Sequence, residues 1–202
     1  MCASDRNQER GFTLIELLLG LGLAAVLLAM LGAMLTSAQR IQARTQAQMG
    51  VQRTGYVALD RLSRQIALAG LNLDPSAGEE AFPALPPEAG TDWSSALAIQ
   101  YRTEDGALQR FAYYLHDGQI MELGGDADPI PVTDDGCRAS LLTYTYYTEY
   151  GLTVDPARLS DPYWRAKVQR VELELTVDRG NDSPVSAAYG LAAAVTVQNP
   201  HR

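Results

Sequence analysis

The stretch Arg10-Gly11-Phe12-Thr13-Leu14-Ile15-Glu16-Leu17 opens an apolar run that continues unbroken to Leu35. From Leu17 to Leu35 no side chain is charged or polar, and only Gly20, Gly22 and Gly32 are not plainly apolar. A helix rises 1.5 Å per residue, so this run covers roughly 28 Å, close to the hydrocarbon core of a bilayer. A secretory h-region is shorter and is followed by a small-residue cleavage site. Here Gln39 and Arg40 lead directly into more helical sequence. The run is therefore expected to span a membrane. Basic residues on the two flanks, Arg6 and Arg10 against Arg40 and Arg44, balance, so charge alone leaves the orientation open.

Glu16 is the odd residue. A carboxylate at membrane depth costs about 2.5–3.5 kcal/mol on insertion scales, so it marks a functional site and calls for a partner. Around it, the Gly11-Phe12-Thr13-Leu14-Ile15-Glu16 string and the apolar run resemble the type IV pilin and pseudopilin superfamily. The resemblance implies a leader, residues 1–11, removed by a prepilin peptidase that cuts between Gly11 and Phe12 and methylates the new amine of Phe12. It implies that Glu16 then pairs with the amine of a neighbouring subunit, setting the stagger of a filament. A buried ion pair is a better register device than a source of stability. It also implies a cytoplasmic leader, a single pass through the inner membrane, and an extracytoplasmic head that becomes part of a pilus or pseudopilus. The implied partners are other pilins and minor pilins, met through the N-terminal helix, together with the peptidase and the membrane. The helix has no proline where major pilins commonly carry one.

Beyond the membrane run the sequence stays helical. No proline occurs before Pro75, and Gly55, Leu59, Leu62, Ile66 and Ala69 form one apolar face, with Arg61, Arg64 and Gln65 on the other side. One helix is expected over Phe12–Ala69, with residues 12–35 in the membrane and 36–69 amphipathic. Gly70 and Pro75 mark its stop. Residues 70–202 form the head. Proline and glycine make residues 71–95 loop-like. Strands are expected over Ala96–Thr103, Leu108–Leu115, Gly118–Leu123, Ala139–Tyr150, Lys167–Asp178 and Ser186–Gln198, with a turn at His116-Asp117-Gly118 and a bulge near Gln169. The predicted class is α+β: a long helix packed on an antiparallel sheet, the type IV pilin fold. Within the superfamily, the helix end at Gln52–Gly70, the segment Gln109–Leu123 and the terminal Val195–Asn199 are most similar to PilW-type minor pilins and J-type pseudopilins of type II secretion. That similarity implies a scarce subunit acting in assembly, in initiation or at the fibre tip.

The chain has 202 residues and a formal charge of −8, unevenly divided. The leader is neutral, the helix carries +3, and the head has nine basic against twenty acidic residues, a net −11. This works against a DNA-binding minor pilin of a transformation pilus, since phosphate neutralisation supplies most non-specific affinity. The local exception is Arg158, Arg165, Lys167 and Arg170. Asp126, Asp128, Asp134 and Asp135 are the one candidate set for a hard cation, but their spacing does not fit a 12-residue calcium loop, and a solvated acidic loop is preferred. No cofactor is expected. Cys137 is the single cysteine after the leader and reads as a buried or partly buried free thiol. Leu142, Tyr144, Tyr146 and Tyr150 alternate on one strand and read as core or interface. The two histidines, His116 and His201, join no catalytic set, and an enzyme is not expected.

Overall fold

The computed structural model describes residues 13–125, 127–133, 136–179 and 188–197. Gly11, Phe12, Asp126, Asp134 and Asp135 lie outside the described residues, as do the ends of the last expected strand. The chain divides into two compact units, residues 1–45 and 46–202.

Helix α1 runs from Leu14 to Leu68 without a break, 55 residues or about 82 Å. It starts two residues later than expected because Thr13 is its cap. It ends one residue earlier because Gly70 turns left-handed, with φ of 85°. The Gly70 N–H then donates to the carbonyl of Gln100 at 2.9 Å, tying the helix end to the first strand. In the first unit every described side chain is exposed, including those of the apolar run. An 18-residue window of α1 reaches a mean hydropathy of 2.5, long and apolar enough to cross a membrane.

In the second unit α1 buries Ala47, Val51, Thr54, Gly55, Ala58, Leu62 and Ile66, one stripe at helical spacing. Leu59 is only half-buried, at the stripe's edge. Gly55 packs closely on β8: a Cβ there would stand 2.7 Å from Cδ1 of Leu191, whose side chain would have to shift.

Among the described residues the head contains two four-stranded antiparallel sheets where one was expected. The first holds β1 (Ala96–Arg102), β2 (Leu108–His116), β3 (Gln119–Gly124) and β4 (Ile130–Pro131), in that order. The second is built from β5 (Arg138–Thr148), β6 (Thr153–Val154), β7 (Val168–Asp178) and β8 (Ala188–Thr196), in the order β6-β5-β7-β8. Single hydrogen bonds join them instead of a ladder. The N–H of Ala139 donates to the Gly118 carbonyl at 2.8 Å, and that of Tyr144 to the Ser94 carbonyl at 2.8 Å. Period-two alternation shows which face of a strand is buried but not which strand lies beside it, so the division was not readable from the pattern. One core serves both sheets: Leu62 and Ile66 of α1 join Leu97, Ile99, Tyr113, Ile120, Leu142, Tyr144, Tyr146, Leu173 and Leu175. Each fully buried aliphatic side chain contributes about 1.5–3 kcal/mol.

Local signals held well. Asp117 and Gly118 both have positive φ, 49° and 76°, and close the β2–β3 hairpin as a type I′ turn. The β5–β7 register passes from Tyr147–Arg170 to Thr148–Val168, so Gln169 is the bulged residue. Cys137 is a buried free thiol. The tyrosine stripe needs correction at one end. Leu142, Tyr144 and Tyr146 are core, but Tyr150 is 83% exposed, because β5 stops at Thr148 and Tyr150 sits in the following turn.

Two short elements lie between β6 and β7: a 3-10 turn, Pro156–Ser160, and helix α2, Pro162–Arg165. Asp155 and Asp161 cap them, each carboxylate accepting a backbone N–H two residues on.

Candidate functional site

The start of α1 is built by local chemistry. Thr13 is the N-cap. Its hydroxyl oxygen accepts the N–H of Glu16 at 3.4 Å. In return Oε2 of Glu16 accepts the Thr13 N–H at 3.0 Å and the Thr13 hydroxyl at 3.0 Å. This is a capping box, in which the cap residue and the third helical residue hydrogen-bond reciprocally, the Glu16 N–H donating also to the Thr13 carbonyl at 3.1 Å. Its negative charge also sits at the positive end of the helix dipole. The sequence signal was present in the Thr-x-x-Glu spacing of Thr13 and Glu16, which the reading of Glu16 as an intersubunit partner had left unused.

Glu16 remains exposed in this arrangement, at the head of a helix whose Leu17, Leu21, Leu28 and Leu35 are equally uncovered. Nothing stands within 4 Å of an added Cβ at Gly20, Gly22 or Gly32. Such a surface needs lipid or other helices around it. The carboxylate is thus placed where the chain meets its surroundings, four positions after Phe12 in the sequence.

In the head, a second carboxylate is held very differently. Glu122 on β3 is buried; its Oε1 accepts from Arg61 of α1 at 2.7 Å, and its Oε2 accepts from the Tyr113 hydroxyl at 2.8 Å. Arg61 therefore does not sit idle on the outer face of the helix, as its position in the sequence suggested. Its long side chain reaches round to the first sheet. Burial, and then the adjoining Glu122, push the Tyr113 phenol far above its usual range. This group locks helix to sheet.

The remaining candidates separate in the same way. Asp128 is exposed, and among the described residues no cluster of three or more histidine, cysteine or carboxylate groups has metal-binding geometry. Of the four basic residues proposed as a cationic patch, Arg165 is withdrawn. It is buried, paired with Glu80 at 2.8 Å, and donates to the carbonyls of Leu159 and Ser160. Arg158, Lys167 and Arg170 stay exposed, each with its cation over an aromatic ring.

Residues 6–32 match the prokaryotic N-terminal methylation motif, a segment that includes Gly11, Phe12 and Glu16. The fold is similar to that of a type IV-like pilin from Thermus thermophilus, with a TM-score of 0.50 at 14% identity, covering 75% of this chain and 97% of that one. No curated protein matches the chain.

Proposed function

We infer that this chain, whose N-terminal motif and fold are those of the type IV pilin superfamily, is a minor pilin. It is inserted as a single-pass precursor and cut between Gly11 and Phe12. The mature chain begins at a methylated Phe12 and enters a filament through α1. Its role is structural, in priming assembly or at the fibre tip, with no catalytic function. The observation that carries this reading is the capped helix start: a lone carboxylate, Glu16, heads an exposed apolar helix within the methylation motif, and the same helix continues into a folded head.

Mechanistically, cleavage places a cationic amine one helical turn from Glu16. In a bundle of such helices, the carboxylate meets the amine of a neighbour and both charges are neutralised away from water. Leaving either one unpaired in that setting is costly, which fixes the axial register of the incoming subunit. The exposed leucines of α1 supply the packing that follows. A J-type pseudopilin of a secretion pseudopilus would use the same chemistry with different partners. A DNA-binding role draws less support, since Arg165 is committed to Glu80.

The test is assembly of Glu16→Ala in a reconstituted pilus system. Cleavage and membrane insertion are expected to persist while incorporation into fibres falls. Unchanged incorporation would contradict the mechanism.

A further inference from the structure

We propose that the free edge of β8 is a docking site for an extended strand of another protein, one with apolar residues at alternate positions, which adds a fifth strand to the second sheet. This goes beyond the filament role and rests on it only for the direction of α1.

A sheet edge presents unpaired N–H and C=O groups, and proteins blunt such edges because other strands can pair with them. Three of the four edges here are blunted. On β1 the Gln100 carbonyl accepts from Gly70 and the Gln100 N–H donates to the Ala81 carbonyl, each at 2.9 Å, while the Arg102 N–H donates to the Leu71 carbonyl at 3.0 Å. Strands β4 and β6 have two residues each, and β4 contains Pro131. Strand β8 has nine residues, about 30 Å, with no charge, no proline and no bulge.

Register identifies the groups left open. β8 pairs with β7 residue for residue, from Ala188 with Asp178 to Thr196 with Arg170. Just beyond, the Val197 N–H donates to the Gln169 carbonyl at 2.8 Å. In an antiparallel strand both backbone groups of a residue point to the same side, and successive residues alternate. Tyr189, Leu191, Ala193 and Val195 therefore turn theirs to β7. Ala188, Gly190, Ala192, Ala194 and Thr196 turn theirs to the open side. All five are exposed, and their outward backbone groups have no partner among the described residues.

The side chains set the chemistry of the occupant. The inner row of β7, Val171, Leu173, Leu175 and Val177, is fully buried, whereas the β8 residues opposite are only half-buried. The Tyr189 hydroxyl lies 3.2 Å from that of Tyr56 on α1, and Tyr56 is 53% exposed. The apolar layer thus stops one strand short. A strand laid about 4.8 Å beyond β8 brings every second side chain beside this uncovered row, which selects apolar residues there. The main-chain ladder supplies affinity and the alternate side chains supply specificity.

A second copy does not fit. Its own open edge is again β8, and every ladder in this protein is antiparallel. Two β8 strands joined antiparallel in one sheet are related by a two-fold axis normal to that sheet, which points the α1 segments packed on it in opposite directions. Chains anchored in one membrane by α1 run the same way, so the strand comes from a different protein.

The experiment uses the full chain in its own membrane with its filament partners. A photo-crosslinking amino acid replaces Thr196, with exposed Leu108 of β2 as the control position. Position 196 is expected to give an adduct that mass spectrometry maps to a segment of another protein with apolar residues at alternate positions, and position 108 is not. Ala192→Pro and, separately, Ala194→Pro each remove an outward N–H and no ladder hydrogen bond. Both are expected to leave the amount of protease-resistant chain unchanged and to reduce the adduct about tenfold. Adducts confined to lipid, to the chain's own residues or to a second copy would overturn the proposal. So would adducts indifferent to both prolines, or no adduct from a chain recovered in fibres. Loss of the folded chain in both proline variants would show that these amides belong to the β7 ladder, and would overturn it too. A parent chain that gives the adduct in membranes but is absent from fibres would instead contradict the filament reading alone.

Discussion

Thr13 and Glu16 satisfy each other's backbone: the hydroxyl of one accepts the N–H of the other, and the carboxylate of the second accepts the N–H and hydroxyl of the first. Glu16 therefore has an occupation before any neighbour arrives. The proposed function gives it a second purpose in the filament, so its two roles separate by substitution. Thr13→Ala removes the cap at a cost of about 1 kcal/mol to the helix start but leaves the carboxylate. It is expected to assemble nearly normally, with fraying of the first turn visible as faster amide exchange in detergent. Glu16→Ala removes both roles and is expected to reduce assembly far more. Equal loss of assembly in the two variants would mean that the cap, not the charge, is what matters.

Three fully buried tyrosines differ in what their hydroxyls meet. Tyr113 donates to Glu122 at 2.8 Å and Tyr146 to the Trp93 carbonyl at 2.9 Å, whereas the Tyr144 hydroxyl has no hydrogen-bond partner among the described residues. Tyr146→Phe is expected to destabilise the protein by about 1 kcal/mol, and Tyr144→Phe to be neutral or slightly stabilising. Denaturant melts of the two variants measure the contrast directly.

The same burial sets a pH limit. Burial raises the phenols of Tyr113, Tyr144 and Tyr146 above the ordinary value near 10. Below about pH 10 these groups are protonated in both folded and unfolded chains, so their contribution is fully present. Above it the unfolded chain ionises first, binds fewer protons, and gains stability relative to the fold. Thermal stability is thus expected to fall as pH rises past about 10, with these three phenols ionising only on unfolding. Ultraviolet titration of tyrosinate alongside the melting temperature checks both statements.

Glu122 joins α1 to the first sheet. Removing Arg61 leaves a buried carboxylate with one donor. A fully buried pair broken in this way costs about 3–5 kcal/mol. The Arg61 side chain is 43% exposed, so Arg61→Ala is expected to cost about 1–3 kcal/mol. Arg61→Ala combined with Glu122→Gln is expected to recover part of that loss, because no charge is then left unpaired. Chemical denaturation of the single and double variants closes the cycle.

Where the sequence was legible, the signal was local. The Asp117-Gly118 pair announced its turn, and the alternation of β7 announced both its faces and the bulge at Gln169. The apolar run and Glu16 announced the candidate site. What escaped was of two kinds. Some signals were present but short: Asp155-Pro156 and Asp161-Pro162 are each a cap followed by a first-turn proline, yet the elements they open span only 5 and 4 residues. Others depended on distant chain. Arg61 finds Glu122, and Arg165 finds Glu80, 85 positions away, and no spacing rule foretells either pairing. The split into two sheets belongs to the same class.

The central claim is tested most directly at the amino terminus of the chain as it occurs in fibres. Surface filaments sheared from cells and analysed by mass spectrometry are predicted to contain this protein beginning at Phe12, with one methyl group on its amine. A chain absent from the fibres, or present there with residues 1–11 still attached, would contradict the account.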